Sequence, residues 1–264
     1  MPAPTRTRVL AVCAAPVVAL IAVAALVPLP FVIAQPGSTT ANVLGLHKDK
    51  PVITISGVAT RGTSGQLRMT TIEATGPDTE IGLGDVVDSW FRTDRAVMPR
   101  DAVYPAGQSD QEIEQHNVAE MKKSQDAAAE AALRYLHRSP KDVKVELSLA
   151  DVGGPSAGLL FTLGIIDKID GDGRGGDLTG GRSIAGTGTI TPDGTVGAVG
   201  GVSLKTQAAG RDGATVFLVP KDECSDAGAE LPKGMRLIPV TTLTDAVTSL
   251  KALKDGGSVP SCPA

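Results

Sequence analysis

The stretch carrying Leu159, Leu160, Phe161, Leu163, Ile165 and Ile166 is apolar on nearly every side of a helix, and this constrains the fold more than any other feature. A helix without a polar face cannot lie on a surface, so other elements must enclose it. Just ahead of it, residues 143 to 149 alternate Val143, Val145, Leu147 and Leu149 with Lys144, Glu146 and Ser148, the period-two pattern of a half-buried strand. Between the two stands Gly153-Gly154-Pro155-Ser156-Ala157-Gly158. Ser156 is therefore expected at a strand-to-helix corner, held still by the buried helix that follows it.

Around this unit the pattern is mixed. Residues 51 to 58 and 66 to 75 read as two strands joined through Gly62-Thr63-Ser64-Gly65, a hairpin. Ser109 and Glu112 form a capping box that opens a long amphipathic helix. Ile113, Met121, Ala128, Ala132, Leu133 and Leu136 recur along it at helical spacing until Ser139-Pro140. After a loop at residues 170 to 181 come a glycine-rich strand pair around residues 183 to 199, a helix bearing Lys205 and a strand at residues 215 to 219. A last helix at residues 245 to 253 precedes a flexible tail. Strands and helices do not alternate strictly, which favours α+β over a doubly wound sheet.

Residues 9 to 34 contain no charge, and Arg6 and Arg8 precede them. That length spans a bilayer. It exceeds the apolar core of a typical signal peptide, so the reading is an uncleaved anchor, with a cut after Ala34 as the alternative. The arginines keep the N-terminus in the cytoplasm and place the rest of the chain outside it, in a single-pass arrangement. The expected divisions are a cytoplasmic segment 1 to 8, an anchor 9 to 34, a linker 35 to 50, a hairpin and long-helix region 51 to 140, a domain 141 to 254 and a tail 255 to 264. Outside the cytoplasm Cys224 and Cys262 are expected to pair, the alternative being two free thiols, while Cys13 lies within the apolar run as a small hydrophobe.

Several function classes are disfavoured. Aromatic content of 3% and a net charge of −4 leave neither stacking surfaces nor a basic stripe for nucleic acid. His47, His116 and His137 are the only histidines, too few to suggest a metal site or a Ser-His-Asp triad. In the loop from Asp170 to Asp177, Arg174 stands where a calcium loop needs an oxygen ligand, and no Glu closes the loop at Gly181. No metal and no cofactor are expected.

Lys205 follows Ser156 by 49 residues, inside Gly200-Gly201-Val202-Ser203-Leu204-Lys205. Serine is a weak nucleophile without a base. A lysine serves as that base only when neutral, so its pKa of ~10.4 must fall by about three units, ~4 kcal/mol of differential destabilisation. Burial among apolar neighbours such as Val199, Val202 and Leu204 supplies it. Backbone N–H groups around Gly154 and Ala157 are candidate donors to an oxyanion. The bland alternative is that Gly-Pro-Ser only caps a helix.

Gly154-Pro155-Ser156-Ala157-Gly158, Thr187-Gly188-Thr189-Ile190 and Gly200-Gly201-Val202-Ser203-Leu204-Lys205 occur in the order of the three signature blocks of the Lon protease proteolytic domain, which residues 143 to 253 resemble. The resemblance implies a Ser-Lys dyad with Ser156 as nucleophile, Lys205 as base and Thr187 positioning the lysine amine. It also implies homo-oligomerisation. With its anchor and the run from Met121 through Ser124-Gln125 to Ala132, the chain resembles the membrane-anchored, YlbL-type Lon-like subgroup. It departs from it twice: Ser139-Pro140-Lys141-Asp142 leaves no room for a PDZ domain, and Gly153 stands where an acidic residue is usual. No phosphate-binding loop of the Gly-x-x-x-x-Gly-Lys-Ser/Thr kind occurs, so the expected activity is an ATP-independent serine endopeptidase acting on unfolded or flexible polypeptide. The alternatives are a catalytically inactive peptide-binding domain and a small-molecule amidase or esterase on the same dyad.

Overall fold

The computed structural model describes residues 6 to 38, 40 to 104, 109 to 149 and 154 to 263. The chain divides into two compact units, one from residues 1 to 35 and 74 to 108, the other from residues 36 to 73 and 109 to 264. The stretch 51 to 140 is shared between them.

In the first unit the apolar run forms the helix Arg6–Leu26, with Pro16 inside it. The expected span ran to residue 34, and here the structure corrects it. Phe31–Pro36 is a strand paired antiparallel with Ala96–Pro99, and Val32, Ile33 and Ala34 are buried in that pairing. Pro28 and Pro30 lie between the two elements, where proline cannot continue a helix. The side chains from Val9 to Val23 are all exposed. Counted over the described residues, no helix is long and apolar enough to cross a membrane.

The second unit is built on a five-stranded sheet in the order Arg236–Val240, Val216–Pro220, Ser183–Gly186, Gln66–Met69, Ala41–Asn42. The first four strands run parallel, and the last is antiparallel to its neighbour. Alternate residues of these strands enter different cores. Ile184, Val216, Leu218 and Ile238 join the larger one, around the helix Gly158–Ile169, while Ala185, Phe217, Val219 and Leu237 join the smaller one, around the helices Val202–Arg211 and Cys224–Gly228. Side chains alternate across a strand, so the two cores lie on opposite faces of the sheet. The helix expected to be enclosed is enclosed: Gly158 through Asp167 are all buried. The long helix Asp110–Tyr135 and the C-terminal helix Leu243–Lys254 pack against it.

Mixed α+β describes the chain, with local departures from the sequence reading. The hairpin does not form. Ile53–Ser56 pairs antiparallel with Lys144–Leu147, whereas Gln66–Met69 enters the central sheet beside Ser183–Gly186. The intervening loop is pulled away by Arg61, whose guanidinium meets Asp177 at 2.8 Å and the Gly175 carbonyl at 2.9 Å, and by Ser64, whose carbonyl accepts from the Thr179 hydroxyl. Ser183–Gly186 likewise joins the sheet, and the hairpin of that region is Thr189–Ile190 with Val196–Gly197. The long helix keeps its capping box at Ser109 and Glu112 but ends at Tyr135, four residues before Ser139. His137 takes φ of +53° there; its N–H donates to the Arg134 carbonyl and the Arg138 N–H donates to the Leu133 carbonyl, the paired bonds of a Schellman motif. The strand Arg236–Val240 carries Pro239, which hides it from pattern reading and is tolerated because the strand is at the sheet edge.

Candidate active site

The strand Lys144–Leu147 delivers the chain toward the serine, and Gly153, where the family's acidic residue would stand, lies outside the described residues. Gly154 has φ of +89°, a conformation that strains any other residue. Pro155–Ala157 then makes one tight turn that leads into the buried helix. Three contacts fix it. The Ser124 hydroxyl donates to the Pro155 carbonyl at 2.9 Å, and the Ser156 carbonyl accepts from the Gly188 N–H at 2.9 Å and from the Thr187 hydroxyl at 3.2 Å. A Cβ on Gly158 would fall 2.9 Å from Ile190 and 3.0 Å from Ser124, so glycine there permits the close approach of helix and hairpin.

Lys205 lies in the first turns of Val202–Arg211 and is 4% exposed. Its amine donates to the Thr187 hydroxyl at 3.3 Å. Burial lowers its pKa to about 8, against the opposing pull of the Glu223 and Asp226 carboxylates. Thr187 is fully buried and tied to the central sheet by its N–H, which donates to the Leu218 carbonyl at 3.1 Å. A chain of contacts thus runs from the lysine amine through one threonine hydroxyl to the serine backbone.

Ser156 and Lys205 line the same cleft of about 770 Å³, together with Arg68, Met69, Ile72 and Val199. His47 lines it too, a histidine for which the sequence suggested no role. Of the candidate oxyanion residues, Gly154 turns its N–H toward the Asn117 carbonyl at 3.4 Å, and Ala157 is buried. Cys224 and Cys262 are joined in a disulfide with their Cα atoms 5.5 Å apart, which anchors the tail that was expected to be flexible.

His116 and His137 are exposed on or just beyond the long helix. In the acidic loop, Asp172 accepts from the N–H groups of Arg174 and Gly176 and pairs with Lys254, while Asp177 pairs with Arg61. The carboxylates of Asp172 and Asp177 are thus spent on the protein's own donors. Among the described residues no cluster of His, Cys, Asp or Glu could hold a metal ion.

Sequence reasoning missed Ser124 and Asp226. The Asp226 carboxylate accepts from the Val202 N–H at 2.8 Å and the Ser203 N–H at 3.3 Å, capping the lysine helix from a different element. The run Met121 to Ala132 contained Ser124, yet only the fold shows its contact with the serine turn.

Residues 121 to 252, half of the chain, match the family model described as Lon protease (S16) C-terminal proteolytic domain. Two curated relatives named Lon protease are similar to part of the chain. One, from Chloroflexus aggregans, is 35% identical over 97 residues, and one from Azospirillum brasilense is 36% identical over 98 residues. Those alignments cover 35% and 36% of this chain and 11% of each relative, so the chain matches about a tenth of their length.

Proposed function

The chain belongs to the Lon protease (S16) C-terminal proteolytic domain family, and from that premise we propose that it is an ATP-independent serine endopeptidase with Ser156 as nucleophile and Lys205 as base. The observation that carries the reading is the dry amine of Lys205, bonded to the threonine that also binds the serine backbone.

The Ser156 hydroxyl attacks the scissile carbonyl and passes its proton to neutral Lys205. The resulting oxyanion is stabilised by the backbone N–H of Ala157, the Gly154 N–H being turned toward the Asn117 carbonyl. Collapse breaks the C–N bond, and Lys205 returns the proton to the departing amine. A water molecule, deprotonated by the same lysine, then cleaves the ester and frees the enzyme. With a pKa of about 8, roughly a tenth of the lysines are neutral at pH 7, whereas an unperturbed lysine would be neutral in well under one in a thousand. Arginine would keep its proton and cannot substitute.

The second part of the proposal is that Arg6–Leu26 anchors the protein in a membrane. The described side chains of this helix fall short of a complete span, so the proposal rests on the uncharged sequence run from Val9 through Leu26; with every position counted, the helix of 21 residues extends about 31 Å at 1.5 Å each, against a hydrocarbon core of about 30 Å. Arg6 marks its cytoplasmic end.

The test is cleavage of a permanently unfolded protein by the full chain without nucleotide, beside Ser156→Ala and Lys205→Arg. Cleavage by the parent and none by either variant is expected. Binding without cleavage would favour a peptide-binding domain, and turnover of a short ester alone would favour a small-molecule hydrolase.

A further inference from the structure

The first unit exposes a second apolar surface besides the helix Arg6–Leu26. Val87 and Trp90, on the helix Leu83–Trp90, and Phe91 just past its end are spaced to share one helical face. They are 48%, 79% and 83% exposed. Apart from the Arg6–Leu26 helix and Val27 after it, the only other large hydrophobic side chains exposed among the described residues are Leu46 and Val118, so the three form a cluster rather than scatter. Trp90 is the only tryptophan of the chain.

Its location is fixed by the backbone. The Leu29 N–H donates to the Ile81 carbonyl at 2.8 Å, three residues beyond the end of Arg6–Leu26 and two before the start of Leu83–Trp90. The two helices also touch. Three residues reach at most about 10 Å, and the headgroup zone on each side of a bilayer is roughly 5–8 Å deep. A helix tethered that closely to the exit of a membrane span must begin at or near headgroup level. The flanking charges are paired with one another, Arg92 with Asp94 and Arg95 with Asp88, while Asp85 accepts from the Gly82 N–H at 2.9 Å. Tryptophan favours that zone because its ring is apolar and its indole N–H still finds a partner.

We propose that Val87, Trp90 and Phe91 form a lipid-contact face that rests in the headgroup region of the bilayer beside the anchor. The inference depends on the membrane-anchored reading of Arg6–Leu26, and its test separates the two. The full chain is reconstituted into phosphatidylcholine vesicles carrying bromine either just below the headgroup or at the chain ends, and vesicle flotation is measured alongside tryptophan emission, which reports Trp90 alone. The expected result is flotation, emission shifted to shorter wavelength than in the Val87→Ser/Phe91→Ser variant, and stronger loss of emission with shallow than with deep bromine. Flotation with unquenched emission would overturn the lipid-contact face and leave the anchor standing. Quenching chiefly by deep bromine, or a shift that follows protein concentration and not lipid, would also overturn it, the latter because a second copy would then cover the face. Failure to float would remove the anchor and this inference together.

Discussion

The Lys205 amine and the Thr187 hydroxyl are 3.3 Å apart in a buried setting, and that same hydroxyl donates to the carbonyl of Ser156. Its one proton is committed to the serine backbone, so toward the lysine it acts as acceptor. Thr187→Val keeps the shape and removes both bonds, leaving a buried amine without this partner. Loss of such a partner costs about 1–3 kcal/mol, so kcat should fall roughly ten- to a hundredfold with KM little changed. Thr187→Ser should recover most of the loss. A fall in KM-limited binding alone, with kcat intact, would remove Thr187 from the positioning of the base.

On the proposed mechanism the lysine sets the pH dependence. Its folded pKa, about 8, lies below the 10.5 of an ordinary lysine because burial disfavours the charged form. Activity should therefore rise with pH and level off above about 8. The stability effect has a defined sign: between 8 and 10.5 the unfolded chain holds more protons than the folded one, so stability attributable to this group increases with pH across that window. Below pH 8 the charged amine costs up to about 3 kcal/mol. Lys205→Met should then be inactive yet more stable than the parent at pH 7, an advantage that fades toward pH 10.5 in paired denaturation curves.

Much of the candidate site was legible because its parts are local. Ser156 announces itself through the glycines around it and the all-apolar helix behind it, and Lys205 through its glycine-rich approach. What could not be read were contacts between distant segments. Arg61 defeats the hairpin by meeting Asp177, more than a hundred residues away, and nothing near Gly62-Thr63-Ser64-Gly65 hints at this. Asp226 serves a helix that starts 24 residues earlier, so no capping motif marks it. The C-terminus of the long helix was misplaced because His137 adopts a left-handed conformation that pattern reading reserves for glycine.

Asp226 links the charge of the site to its geometry. It caps the lysine helix through two N–H groups, and its carboxylate raises the Lys205 pKa. Asp226→Asn keeps an acceptor and discards the charge, so the activity limb should move to lower pH with little loss of maximal rate. Asp226→Ala also loses the cap, typically worth about 0.5–2 kcal/mol, and should lower the melting temperature besides. The remaining carboxylate facing the amine is Glu223, which stays in both variants. A pH profile identical to the parent's in both variants would exclude electrostatic coupling of Asp226 to the base.

A second titration lies at the far end of the serine helix. Asp167 is fully buried, its Oδ1 accepting from the Leu178 N–H at 2.8 Å and lying 3.6 Å from the Arg61 guanidinium, while its Oδ2 has no hydrogen-bond partner. Burial raises its pKa to about 6, with Asp177 and Asp172 adding to the rise and the Leu178 N–H and Arg61 opposing it. The folded state therefore holds this proton more tightly than the unfolded chain, and its stabilising effect is complete below about 3.8 and lost as pH climbs to 6. The rise from 3.8 to about 6 corresponds to about 3 kcal/mol. Asp167→Asn cannot ionise and keeps the oxygen that accepts from Leu178. Relative to the parent it should gain stability between pH 4 and pH 6 and hold that gain at higher pH. Urea denaturation of both proteins across this range checks it: a stability difference that stays constant with pH would mean that Asp167 titrates alike in the folded and unfolded chains.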